Sequence, residues 1–231
     1  MHQIHFYRVF TLVSIAAVFG AAPAHAATVY AGRPTFEATL ATSVVDDYEA
    51  PGYSSIPDDM TMSAVVGETD YVTTFFDNNN YVGTAGDGSG STASNIYCAG
   101  CNGSFLLSFT TTSVGSADGV YGVGLEFFNS IETEPYHAFV TFGDGSTQDI
   151  VMDTATTASM AFFGITSPDL IRSIHFGLED GGATSIGYFG IDNLTLGSPV
   201  PLPAALYLFG SGLLLVFAKG AGNRERRMSP S

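Results

Sequence analysis

Tryptophan is absent, cysteine occurs twice, and lysine and arginine together number seven in 231 residues. The shortage of cations is sharper than that count suggests. Five of the seven, Arg8, Lys219, Arg224, Arg226 and Arg227, lie towards the ends. Residues 27–198 therefore keep only Arg33 and Arg172 against 21 acidic residues, a net charge of −19. A surface of that sign repels phosphate backbones, which excludes nucleic-acid binding through a basic face. It suits solubility, divalent cations or basic partners. Long amphipathic helical patterns are also missing, as is a Gly-x-Ser-x-Gly nucleophile elbow; "GDGSGS" has the wrong spacing and no helix after it. His137 and His175 lack a partner histidine at i+2 or i+4 and read as ordinary surface or half-buried residues rather than ligands.

The two cysteines stand in "YCAGCNGS" as Cys98 and Cys101. A redox C-x-x-C normally opens a helix, whose dipole lowers the first thiol's pKa, and a structural zinc site needs a second ligand pair. Neither accompanies this Gly-rich stretch. The preferred reading is a short-loop disulfide that tightens a turn, with free or catalytic thiols as the alternative.

At the start, "MHQIHFYRVFTLVSIAAVFGAAPAHA" has a weakly basic opening, an apolar run from Val9 to Ala22 and the small-residue site Ala24-His25-Ala26. That is the layout of a secretory signal peptide over residues 1–26, with cleavage expected before Ala27; the run is short for an uncleaved span.

In the body, "RPTFEATLA" suggests a short helix with Pro34 in its first turn and Phe36 and Leu40 four apart. Strand-like segments follow, among them "SVVDDYE", "DYVTTFF", "SFLLSFT", "YGVGLEFFN", "YHAFVTF", "STQDIVM", "MAFFGI", "LIRSIHFGL" and "IGYFGIDNLTL". Alternation puts Phe105, Leu107 and Phe109 on one face, and likewise Ala138, Val140 and Phe142. Asp-Gly turns punctuate the segments, and "TFGDGSTQDIVM" reads as a hairpin. The prediction for residues 27–198 is an all-β domain, an antiparallel jelly-roll-like β-sandwich of about nine strands, with residues 85–103 as a polar excursion.

Two acidic stretches carry a candidate site. "VVDDYEA" places Asp47 and Glu49 on one strand face, and "FGIDNL" places Asp192 and Asn193 in the last strand. First and last strands of a jelly roll commonly lie side by side, so these oxygens are candidates for a structural calcium that staples the domain closed. The alternative is that they satisfy local backbone groups. Acid pairs such as Asp58/Asp59 and Glu132/Glu134 carry little meaning in so acidic a chain.

The end of the chain reads "SPVPLPAALYLFGSGLLLVFAKGAGNRERR". Positions 204–218 are apolar apart from Ser211, and counting back to Val200 gives 19 residues, enough for a span of about 30 Å at 1.5 Å per residue. The basic cluster after it holds that end in the cytoplasm by the positive-inside rule. Residues 199–231, with Val200, Pro201, Leu202 and Pro203 ahead of the apolar run and Gly-Ser-Gly at 210–212, resemble the sorting signal of PEP-CTERM exosortase substrates in its Val-Pro-Leu-Pro variant. The body is similar to such substrates too: Phe36–Leu40 matches their "F-x-A-x-L" opening, Val45–Glu49 their "v-D-F-E" strand with Tyr48 in place of Phe, and 162–167, 171–176 and 188–197 their closing motifs. The resemblance implies export, tethering in the inner membrane, cutting near the proline motif by a membrane-embedded cysteine transpeptidase, and delivery to the cell surface or an exopolysaccharide matrix. The resulting expectation is a non-enzymatic surface or biofilm protein. A carbohydrate-binding module, with Tyr53, Tyr71, Tyr81 and Tyr121 as stacking residues, and a matrix hydrolase are the rivals.

Overall fold

The computed structural model describes residues 27–53, 56, 58–84, 94–101, 103–129, 135–152, 160–183 and 188–201. Its elements are β1 (Thr28–Tyr30), α1 (Arg33–Glu37), β2 (Leu40–Asp46), a single 3-10 turn (Pro51–Tyr53), α2 (Asp59–Val66), β3 (Asp70–Thr73), β4 (Asn80–Thr84), β5 (Asn95–Ala99), β6 (Phe105–Ser108), β7 (Val120–Asn129), β8 (His137–Phe142), β9 (Thr147–Val151), β10 (Ala161–Gly177) and β11 (Phe189–Pro199). The strands form one antiparallel sheet that nearly closes into a barrel-like shape.

The chemistry of β10 makes the sheet continuous. "MAFFGI" and "LIRSIHFGL", expected as two strands, are one 17-residue strand that turns a corner around Pro168. Pro168 offers no N–H to a ladder, and Leu170 takes a φ of 59°, so pairing is interrupted there. Before the corner β10 pairs with β1 and β7, and after it with β6 and β8. Two rows of strands that a sandwich would keep as separate sheets are thereby joined through one bent strand.

Alternation delivers the core. Phe105, Leu107, Phe109, Ala138, Val140 and Phe142 are all buried. The β8–β9 hairpin turns through Asp144-Gly145, with Gly145 at φ 86° and the Asp144 carboxylate accepting from the Ser146 N–H and hydroxyl. Outside the sheet, α1 lays Phe36 over glycines. A Cβ on Gly124 would stand 2.5 Å from the Phe36 ring and one on Gly164 3.0 Å from it, so the ring reaches the strand backbone only because these positions lack side chains. Leu40 meets Gly122 and Gly197 in the same way.

Positions 1–26, with the expected signal peptide, and 202–231, with Leu202, Pro203 and the apolar run, lie outside the described residues. No helix among the described residues is long and apolar enough to cross a membrane.

Candidate functional site

The strand carrying Asp46 and the strand carrying Asp192 and Asn193 are neighbours, with Asp46 opposite Leu194 and Val44 opposite Leu196. The expected juxtaposition is there, but the four expected oxygen donors do not converge. The strand β2 stops at Asp46, and Tyr48 takes a left-handed φ of 56°. That turn buries the Tyr48 ring completely and brings its hydroxyl 2.7 Å from that of Tyr71. Asp47 and Glu49 therefore lose the shared face that strict alternation would give them.

Glu49 turns towards β5. Its Oε1 accepts from the Ser94 hydroxyl at 3.0 Å and the Asn95 N–H at 2.6 Å, and its Oε2 from the Asn95 amide at 3.2 Å. Ser94 also reaches Asp192, so one hydroxyl proton is shared between two carboxylates. Asp192 is 2 % exposed. Burial pushes its carboxyl up to about 6 against the pull of the Ser94 and Asn193 hydrogen bonds, and the charges of Glu126 and Glu49 add to the rise.

Asn193 serves a different neighbour. It takes a φ of 51° where the β11 register slips between Asp192 and Thr195, the position of a bulge. Its amide donates to Glu126 Oε2 at 3.1 Å, and its carbonyl accepts from Arg33 Nη2 at 3.1 Å. Arg33 also donates Nε to Glu126 Oε1 and Nη1 to Thr195 Oγ1, and its guanidinium lies 5.0 Å from the Phe162 ring centre. The cation at this junction is Arg33. Among the described residues no group of three or more His, Cys, Asp or Glu is placed to hold a metal ion. Asp47, Glu49, Asp192 and Asn193 thus do not assemble a calcium site there: Asn193 belongs to the Arg33–Glu126 cluster, and Asp47 faces elsewhere. Arg33, Glu126 and Ser94 belong to no local motif in the sequence. The available signal was that Arg33 is one of only two cations in the acidic body.

Asp47 instead borders a cavity of about 240 Å³ whose walls include Val44, Asp46, Glu68, Thr69 and Leu196. Asp46 Oδ1 accepts from the Tyr48 N–H and the Tyr53 hydroxyl. Its Oδ2 is buried without a hydrogen-bond partner among the described residues, and so is the Thr69 hydroxyl. Burial raises the Asp46 carboxyl above its ordinary range, opposed by the Tyr53 and Tyr48 hydrogen bonds and reinforced by Asp47. Burial also pushes Glu68 upward, but bonds from the Ser113 N–H, the Ser113 hydroxyl and the Thr112 hydroxyl outweigh it, leaving Glu68 below its ordinary value.

Of the expected stacking residues, Tyr53 and Tyr71 are core, 5 % and 1 % exposed, because their hydroxyls find buried partners in Asp46 and Tyr48. Tyr81 is exposed and Tyr121 half-buried. Cys98 and Cys101 form a disulfide across the turn after β5. His137 pairs with Asp149 at 2.8 Å and His175 lies 3.0 Å from the Thr74 hydroxyl. No family model matches this chain, and neither a curated protein nor a solved structure is found to be similar to it.

Proposed function

We propose that this is an exported, non-enzymatic surface or matrix protein, a jelly-roll-like β-sandwich released from an inner-membrane tether by an exosortase-type transpeptidase acting at Val200, Pro201, Leu202 and Pro203. One observation of the fold supports the reading most. The last strand, β11, ends at Pro199, and Val200 and Pro201 follow at once on the surface, Val200 at 52 % exposure. Prolines cannot extend the ladder, so the first two residues of the motif leave the domain exposed. The Cys98–Cys101 disulfide suits an oxidising compartment. Replacing Pro201 and Pro203 by Ala is expected to leave an uncut, membrane-held form on immunoblots of fractionated cells; unchanged release contradicts the reading.

A second reading, binding to an extracellular polysaccharide, is favoured by the connection from β3 to β4. Phe75 and Phe76 lie there at 56 % and 38 % exposure with their ring centres 4.8 Å apart, and Tyr81 follows at 41 %. Rings held at the surface in this way suit stacking on sugars. A polysaccharide pull-down that Phe75→Ala/Phe76→Ala abolishes supports it, and no retention of the producer's own polymer by the native chain removes it.

A further inference from the structure

We propose that the cavity beside β2 is a recognition pocket for one cationic side chain, an alkylguanidinium or alkylammonium, presented by a basic partner polypeptide. Its acceptors come first. Thr69 is 1 % exposed, lines the cavity and has no hydrogen-bond partner for its hydroxyl among the described residues; Oδ2 of Asp46, another lining residue, is likewise buried and unpartnered. Buried polar atoms are seldom left unpaired, because each costs roughly 1–3 kcal/mol. Two on residues that line the same cavity mark a place where a donor is missing. Asp46 Oδ1, by contrast, is fully engaged by Tyr48 and Tyr53, which holds the carboxylate in a fixed orientation.

The rest of the lining narrows the donor. Asp47 and Glu68 add carboxylates to the lining, and among the described residues no cationic side chain contributes to the walls. The two cations of the acidic body are engaged elsewhere: Arg33 with Glu126, Glu37 and Thr195, and Arg172 with Asp118 and the Gly143 carbonyl. Apolar walls from Val44, Val66, Leu194 and Leu196 are wrong for a bare metal ion, which needs oxygen on every side. They suit a hydrocarbon stem that carries a charged head, as in Arg or Lys. Size agrees, since about 240 Å³ lies below the roughly 300–1,000 Å³ of pockets that enclose whole small-molecule ligands and leaves room for a single side chain. The net charge of −19 over residues 27–198 draws a basic partner towards this face. This inference is independent of how the chain is sorted.

The test is calorimetric titration of the full chain in a non-ionic detergent with N-acetyl-arginine methylamide and N-acetyl-lysine methylamide. Butylurea serves as a neutral control and glucosamine as a sugar-borne ammonium. Saturable binding of a capped cation, with butylurea at least about tenfold weaker, is expected from the charge-assisted bonds. Asp46→Asn keeps an oxygen for Tyr48 and Tyr53 but puts an NH₂ where Oδ2 stood, and is expected to weaken binding about 10–100-fold with the melting midpoint retained. Thr69→Val removes the unpaired hydroxyl; it is expected to leave the melting midpoint equal or higher and to weaken binding several-fold. No binding of either capped cation, equal binding of butylurea, binding unchanged in both variants, or preference for glucosamine each overturns the proposal. Binding seen only after Arg224, Arg226 and Arg227 are replaced by Gln would identify the chain's own tail as the occupant and overturn the partner.

Discussion

Asp192 shows how much a single buried acid can say about this domain. Its carboxyl is raised to about 6 by burial, with Glu126 and Glu49 nearby, whereas an unfolded aspartate titrates near about 3.9. Between those values the folded chain holds a proton that the unfolded chain has released. Stability therefore falls as pH rises from about 4 to about 6, and the whole cost is present above that range. Urea unfolding in EDTA at pH 4 and pH 7 should show this component in the native chain and lack it in Asp192→Asn; equal pH dependence in both would contradict it. Because Arg33 already supplies the positive charge that binds Asn193 and Glu126, adding calcium in place of EDTA is expected to leave the melting midpoint unchanged. A rise of more than a few degrees would mean that the carboxylates rearrange around the ion.

The elements differ in how plainly the chain announces them. Strong alternation marked β6 and β8, the Asp144-Gly145 dipeptide marked the β8–β9 turn, and Pro34 marked the start of α1. Missed were β1, β4, β5 and α2. The strand β5 buries Ile96, Tyr97, Cys98 and Ala99 in succession, so it has no alternation to read, and it lies in a stretch that looks polar. In α2, Met62 is fully buried while Met60 is 82 % exposed, too few contacts to give an apolar stripe. Its Asp58 cap, which accepts from the Thr61 N–H, was the better signal. The cavity was illegible for a stronger reason. Asp46 keeps one oxygen unpartnered among the described residues because Tyr48 turns left-handed and Tyr53 returns to take the other one, contacts that no local pattern encodes.

Two predictions belong at this scale. Phe36→Ala removes the ring that rests on Gly124 and Gly164 and should cost about 3–5 kcal/mol in urea unfolding; a loss below 1 kcal/mol would show that α1 contributes little. The Cys98–Cys101 bridge closes a loop of only a few residues. Chain entropy then gives about 2 kcal/mol, so Cys98→Ser/Cys101→Ser should stay folded with a modestly lower midpoint. Global unfolding of that variant would contradict the local role.

At the scale of the whole molecule, charge and topology divide the labour. The sheet closes on a core rich in aromatic rings, where Tyr136 and Phe189 stack at 4.1 Å and Tyr97, Phe105 and Phe176 pack in turn. Apart from Asp192 the charge stays largely outside, and it is almost all of one sign. A domain of this kind repels copies of itself and polyanions while attracting basic surfaces, in keeping with a protein displayed outside the cell. The chain's other cations lie towards its ends, and in the proposed function the segment that begins at Val200 decides where the domain goes. The most direct test is mass spectrometry of the protein recovered from the culture medium or the outer surface of the producing cell. The account predicts a form that begins at Ala27 and ends within or beside Val200–Pro203, without the apolar run; a surface form that still ends at Ser231 would contradict it.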